Sequence, residues 1–236
     1  MELNDMTQHI DELHAKRDIK ALKHYLNELN PADIAQLLEE IEDERKRIFF
    51  FRLLTKENAA ETFVEFDSDT QENLISAFSD AELKEVLDEL YADDAADIVE
   101  EMPASVVKRI LKNTDLETRK TINTLLKYPD DSAGSIMTTE FVDLKRDMTV
   151  EDAFKRIRRT GVDKETIYTC YVKDAGRKLI GIVSLSTLVI TDDSVKIKDI
   201  MHTDYVWLNV YDDQEEVAEE FKKYDFLAMP VVDKEH

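Results

Sequence analysis

Through residues 1–136 apolar positions recur three and four apart, in short runs. The runs are Ile34, Leu37, Leu38, Ile41; Ile48, Phe49, Leu53; Ala59, Phe63, Phe66; Leu74, Ile75, Phe78; Leu83, Val86, Leu87, Leu90; and Ala96, Ile98, Val99, Met102. Such spacing marks one buried face of an amphipathic helix. Residues that cap free backbone N–H groups precede the runs: Asn30, Thr55, Asp67 and Ser79, with Thr114 further on and an intermediate start near Glu42. Pro31 occupies a first helical position, where its missing N–H costs little. Ser79 with Glu82, and Thr114 with Glu117, have the spacing of a capping box. The first four starts are separated by 25, 12 and 12 residues. Helices this short are marginal alone and must stack on neighbours. A helical unit recurring at this interval predicts an all-α superhelix rather than a four-helix bundle.

After residue 136 the pattern alternates. Phe141–Leu144 reads as extended, Thr149–Arg159 as helix, Thr166–Val172 and Leu179–Ser184 as strands, and a helix follows from about Leu185. The order then restarts, with Tyr205–Val210 extended, Asp213–Tyr224 helical and Ala228–Val232 extended. The second copy stops at His236 without a last strand and helix, so a fragment or a cut or disordered end is expected. The expected domains are residues 1–128, a linker over 129–136, a first α/β module over 137–199 and an incomplete second over 200–236.

Composition narrows the class. The chain has 236 residues, 43% of them hydrophobic, which supports a buried core in one or two domains. Asp and Glu number 53 against 31 Lys and Arg, a net charge of −22. Residues 1–136 carry −16 of it and residues 137–236 carry −6. That balance argues against nucleic acid or an anionic membrane as the main partner and favours cations. The single cysteine, Cys170, excludes an internal disulfide framework and fits a reducing compartment. It reads as a buried structural thiol. No signal peptide is apparent, and no apolar stretch approaches the roughly 20 residues that a membrane span needs.

Ile136-Met137-Thr138 and Ile200-Met201-His202 each open a copy, and each is followed by a strand and a helix. The copies continue to Leu179-Ile180-Gly181-Ile182-Val183-Ser184 and Leu227-Ala228-Met229-Pro230-Val231-Val232-Asp233. This resembles a tandem pair of CBS modules, the second truncated. Four further segments resemble the cytosolic portion of MgtE-type magnesium transporters: Ala92–Ile98, Tyr128–Phe141 with its Ser132-Ala133-Gly134-Ser135 core, Asp213–Ala218 and Lys223–Phe226. The resemblance covers nearly the whole chain, in order.

The resemblance implies an acidic superhelical N domain and two CBS modules. In the family these lead into a membrane channel domain that this sequence lacks. It implies Mg²⁺ as the ligand, a homodimer through the CBS modules, and a location at the cytoplasmic face of the cell membrane. Asp93, Asp97, Asp213, Glu215 and Asp225 match acidic positions at junctions of the N domain, CBS modules and channel. Gly134 matches a position that lends a backbone oxygen, and Glu61 matches a further acidic position. By spacing alone, Asp93 and Asp97 lie at i and i+4 on one helix face, which is as well read as a solvated face. Mg²⁺ prefers hard oxygen ligands, so carboxylates suit it. Asp94, Glu100, Glu101 and Glu216 read as solvated. CBS pairs often bind adenosine nucleotides, an acidic residue holding the ribose. Thr187 stands at that position here, and Phe226 could stack on a base.

The remaining signals are bland. His9, His14, His24, His202 and His236 show no ligand pairing, and Phe49-Phe50-Phe51 reads as helix packing. Lys155–Arg159 reads as a solvated face or an anchor for the acidic first domain. No phosphate loop or catalytic triad is present, so a non-enzyme is expected. Two functions follow: a Mg²⁺-sensing regulatory region that closes a transport pore, or an adenine-nucleotide sensor or protein scaffold.

Overall fold

The structure, a computed structural model, describes residues 3–233. His236 lies outside the described residues. The chain forms two compact units: the chain up to Leu90 with Asp94–Lys120, and Tyr91–Asp93 with the chain from Thr121 onward.

The N-terminal region is all-helical among the described residues. Its helices are α1 (Leu3–Ala15), α2 (Ile19–Leu26), α3 (Pro31–Glu39), α4 (Glu44–Phe51) and α5 (Lys56–Val64). There follow α6 (Ser68–Ala77), α7 (Asp80–Leu87), α8 (Ala92–Glu101), α9 (Ala104–Asn113) and α10 (Leu116–Leu125). Alternate helices stack: α1 on α3, α3 on α5, α5 on α7 and α7 on α9. That next-but-one packing is what the interval of capping residues demands. Asn30, Asp43, Thr55, Asp67 and Ser79 each accept a backbone N–H at a helix start. Ser79 and Glu82 complete their capping box in both directions.

Two local expectations are corrected. Thr114 does not cap α10. Its buried hydroxyl donates back to the Ile110 carbonyl at 2.9 Å, and Asp115 caps instead, accepting from Glu117 N at 2.7 Å and Thr118 N at 3.2 Å. In α4 the core residues are Phe50 and Phe51, with Leu54 just beyond, while Ile48, Phe49 and Leu53 are only half-buried. Arg47 sets this rotation. Its guanidinium donates to the carbonyls of Leu38 at 3.1 Å and Ile41 at 2.9 Å, which turns the 47/50/51/54 face inward.

The second unit carries β1 (Phe141–Lys145), α11 (Val150–Thr160), β2 (Thr166–Lys173), β3 (Leu179–Ser184) and α12 (Leu185–Ile190). Strand β1 runs parallel to β2, and β2 antiparallel to β3. Val142, Leu144, Val150, Ile157, Val172 and Val183 form the core between this sheet and its helices. The second module has β4 (Leu208–Asn209), α13 (Gln214–Tyr224) and β5 (Val231–Val232), with β4 parallel to β5. An all-α unit followed by two small α/β modules is the fold class expected from the pattern. The last two strands are shorter than expected. Pro230 has no N–H for a ladder, and the Tyr205 hydroxyl turns away to donate to the Leu179 carbonyl at 3.1 Å.

Candidate functional site

Helix α8 carries Asp93 and Asp97 one turn apart. Asp93 is half-buried, with one carboxylate oxygen fully buried, whereas Asp97 is exposed. Crowding by surrounding protein, and then the charge of Glu101, push the Asp97 carboxyl above its ordinary range. An anion held at this cost favours a nearby cation. Glu61 is exposed on α5.

The segment Asp131–Gly134 is tied to the chain that enters α13. Ala133 N donates to Asp212 O at 2.8 Å, Gly134 N to Val210 O at 2.9 Å and Gln214 N to Asp131 O at 2.8 Å. Gln214 Nε2 also reaches Asp131 Oδ1 at 2.7 Å. Ser132 and Ser135 close the turn, each accepting the other's backbone N–H. This lattice pairs Ser132 with Asp213 and sets Gly134 against Val210, in the chain just before Asp213. Asp213 caps α13, accepting from Glu215 N at 2.8 Å. Asp225 sits at the far end of the same helix, about 18 Å away at 1.5 Å per residue. The structure therefore joins the Gly134 turn to the start of α13, where Asp213 caps Glu215 N, but does not bring Asp225 there.

Asp225 ends α13 in the left-handed region, at φ 54° and ψ 40°. Glycine is the usual residue at such a position. A carboxylate there is held against its backbone preference. Asp225→Gly is expected to raise the stability of the second unit by about 0.5–1 kcal/mol, read as a higher denaturant midpoint. A fall in the midpoint would show that the Asp225 side chain contributes to the fold.

Among the described residues no three Asp, Glu, His or Cys side chains converge on one point. Glu61, Asp97, Asp213, Glu215 and Asp225 take no part in the ion pairs among the described residues, which engage acids such as Asp80, Glu82 and Asp143. All these donors are hard oxygens, the ligand type that Mg²⁺ takes together with retained water. The chemistry of the donor set fits the ion.

Thr187 lies in the first turn of α12, where its Oγ1 is 2.8 Å from Ser184 Oγ and its N–H donates to the same oxygen at 3.0 Å. Phe226 is exposed and stacks on Tyr224, with centroids 5.3 Å apart. A cavity of about 620 Å³ in the second unit involves neither residue. Its walls include Tyr128, Thr138, Thr166, Tyr171, Leu208 and Met229. No local signal marked it, since its residues come from segments far apart in sequence. Cys170 is fully buried, and burial pushes its thiol up to about 12, so it is an inert packing group.

Comparison with known proteins covers most of the chain. The family model described as the MgtE intracellular N domain matches residues 29–131, and that of the CBS domain matches 133–191 and 197–236. The magnesium transporter MgtE of Thermus thermophilus is 35% identical over 222 residues, covering 92% of this chain and 49% of the relative. That of Bacillus subtilis is 28% identical, covering 92% and 48%. The chain thus spans about half the length of these curated relatives. A crystal structure of the cytosolic domain of the Mg²⁺ channel MgtE in complex with ATP superposes with a TM-score of 0.90 at 34% identity, covering 97% of this chain and 93% of that one. The soluble part of a magnesium transporter superposes at 0.88 with 29% identity, covering 98% and 91%.

Proposed function

The chain belongs to the MgtE family of magnesium transporters, and from that premise we propose that it is a regulatory, non-enzymatic region that senses intracellular Mg²⁺ and closes a transport pore. One observation supports this most. Glu61, Asp97, Asp213, Glu215 and Asp225 lie outside the ion pairs among the described residues, and the Asp97 carboxyl is raised by crowding and then by the charge of Glu101. The pore would be a membrane domain of the same polypeptide, and the working form a homodimer through the CBS modules. Among the described residues no helix is long and apolar enough to cross a membrane.

The mechanism follows from charge. Residues 1–136 hold a net −16 and residues 137–236 a net −6, so the two regions repel when divalent ions are scarce. Mg²⁺ held by Asp93 and Asp97, by Glu61 on α5, and by Asp213, Glu215, Asp225 and the Gly134 carbonyl would cancel that repulsion. Each ion stabilises the closed state only by its differential affinity for it. Shifting the population from about 1:99 to 99:1 takes roughly 5.5 kcal/mol, within reach of three or four ions at about 1.5 kcal/mol each. The response is then cooperative.

The test is small-angle scattering in chelator and in millimolar Mg²⁺ at matched ionic strength. The radius of gyration is expected to fall with Mg²⁺, and the double variant Asp93→Asn/Asp97→Asn to need about tenfold more Mg²⁺, the loss of roughly 1.4 kcal/mol. An unchanged wild-type radius would overturn the reading. A double variant that compacts at the wild-type concentration would remove these two residues from it. A nucleotide-sensing role is the weaker reading: although one relative was crystallised with ATP, the Thr187 hydroxyl is already hydrogen-bonded to Ser184 and supplies no carboxylate for a ribose.

A further inference from the structure

The net charge of −22 conceals a local reversal. Three cation pairs, far apart in sequence, meet at one end of the first module's sheet. Lys145 and Arg146 lie at the end of β1, where Lys145 stands in register with Lys173 at the end of β2. Arg177 and Lys178 lie in the turn that follows Lys173. Asp174 Oδ1 holds that turn, accepting from Gly176 N at 2.8 Å and Lys178 N at 3.0 Å. Lys196 precedes and Lys198 lies within the 3-10 turn Ile197–Asp199, which is tied to the β1 end by Lys198 N donating to Arg146 O at 3.0 Å and Ile197 N to Met148 O at 2.9 Å.

All six side chains are exposed. The ion pairs of this module engage Lys155, Arg156 and Lys173 instead. The acids within or just before these segments are Asp147, Asp174, Asp192, Asp193 and Asp199, so the six cations keep a small positive excess. At about 0.1 M salt the Debye length is about 10 Å, so a surface touching this end responds chiefly to charges within that distance of it.

We propose that this cationic end of the first module's sheet docks the chain against an anionic phospholipid surface. The assignment rests on the reading of the chain as part of a membrane transporter, which places it beside a bilayer. Charge complementarity supports it, because each Lys or Arg near an anionic leaflet strengthens binding by about fivefold. Such docking would orient the first module with this positive end toward the lipid.

The test is co-sedimentation of the chain with vesicles of phosphatidylglycerol and phosphatidylcholine, and with phosphatidylcholine alone. Both arms are run in chelator, so that no Mg²⁺ response enters. Partition into the anionic vesicles only is expected, and it should vanish at high salt. The triple variant Arg146→Gln/Lys178→Gln/Lys198→Gln is expected to lower partition by about a hundredfold, while Lys20→Gln/Lys23→Gln on α2 leaves it unchanged. Equal partition into both vesicles, no partition into either, or full binding by the triple variant overturns the proposal. Self-association without lipid that the triple variant abolishes also overturns it, in favour of an acidic protein partner. None of these outcomes bears on Mg²⁺-dependent compaction, so the two readings fail separately.

Discussion

Gly134→Ala is expected to lower the stability of the α/β unit by about 2 kcal/mol, as overpacking of a closed site does. A Cβ at this position would stand 2.6 Å from Tyr128 Cγ and 2.8 Å from the Val210 carbonyl oxygen. The oxygen is backbone and cannot swing aside. It is also the acceptor for Gly134 N, so any retreat lengthens a 2.9 Å hydrogen bond. The neighbouring bonds from Ala133 to Asp212 and from Gln214 to Asp131 share the same seam. The single tryptophan, Trp207, lies in this unit and reports its unfolding by fluorescence. The urea midpoint read from Trp207 should fall. An unchanged midpoint would mean that the turn is held elsewhere, and that the Ser132–Gly134 seam does not fix the start of α13.

Phe51→Ala is expected to have the largest effect on the helical unit, about 3–5 kcal/mol. Phe51 is 3% exposed and ends α4. Its ring meets Phe63 at 6.3 Å, Phe66 at 6.1 Å and Phe78 at 5.5 Å, which draws together three successive elements of the superhelix. Removing it leaves a cavity that stacked helices on either side cannot close without losing their own contacts. Far-UV circular dichroism, dominated by the helices, should show an earlier transition. Trp207 fluorescence should move less. A shift of less than about 1 kcal/mol would show that the stack repacks around the gap. Phe49, half-buried against His14 and Phe50, is a milder site.

Both effects concern the framework that sets the carboxylates in place. Asp213 and Glu215 are fixed by the seam that Gly134 allows, and Glu61 lies on α5, the helix that carries Phe63. The proposed Mg²⁺ sensing would need these positions held while the carboxylates themselves stay available to an ion. Asp225, kept in a conformation that glycine would adopt more readily, fits the same trade of stability for charge.

Much of the fold was legible along the chain because the relevant interactions are local. Asn30, Thr55, Asp67 and Ser79 cap helices through atoms within three residues, so their roles can be read without knowing what lies nearby. The strand and helix order of the first α/β module follows from apolar periodicity in the same way. Asp93 and Asp97 share a helix face by spacing alone. Tertiary structure decided what depends on distant partners. Thr114 had two local acceptor and donor choices, and burial of its hydroxyl beside Ile110 left the cap to Asp115. The inward face of α4 was settled by Arg47 reaching the carbonyls at the end of α3. The joining of the Gly134 turn to the start of α13 comes from a seam between residues some 80 apart. The cationic sheet end unites three pairs that look like scattered surface charge in a strongly acidic sequence. Periodicity and capping report a residue's own helix or strand. Which elements then meet is set by packing and long-range hydrogen bonds, and no short window of sequence contains them.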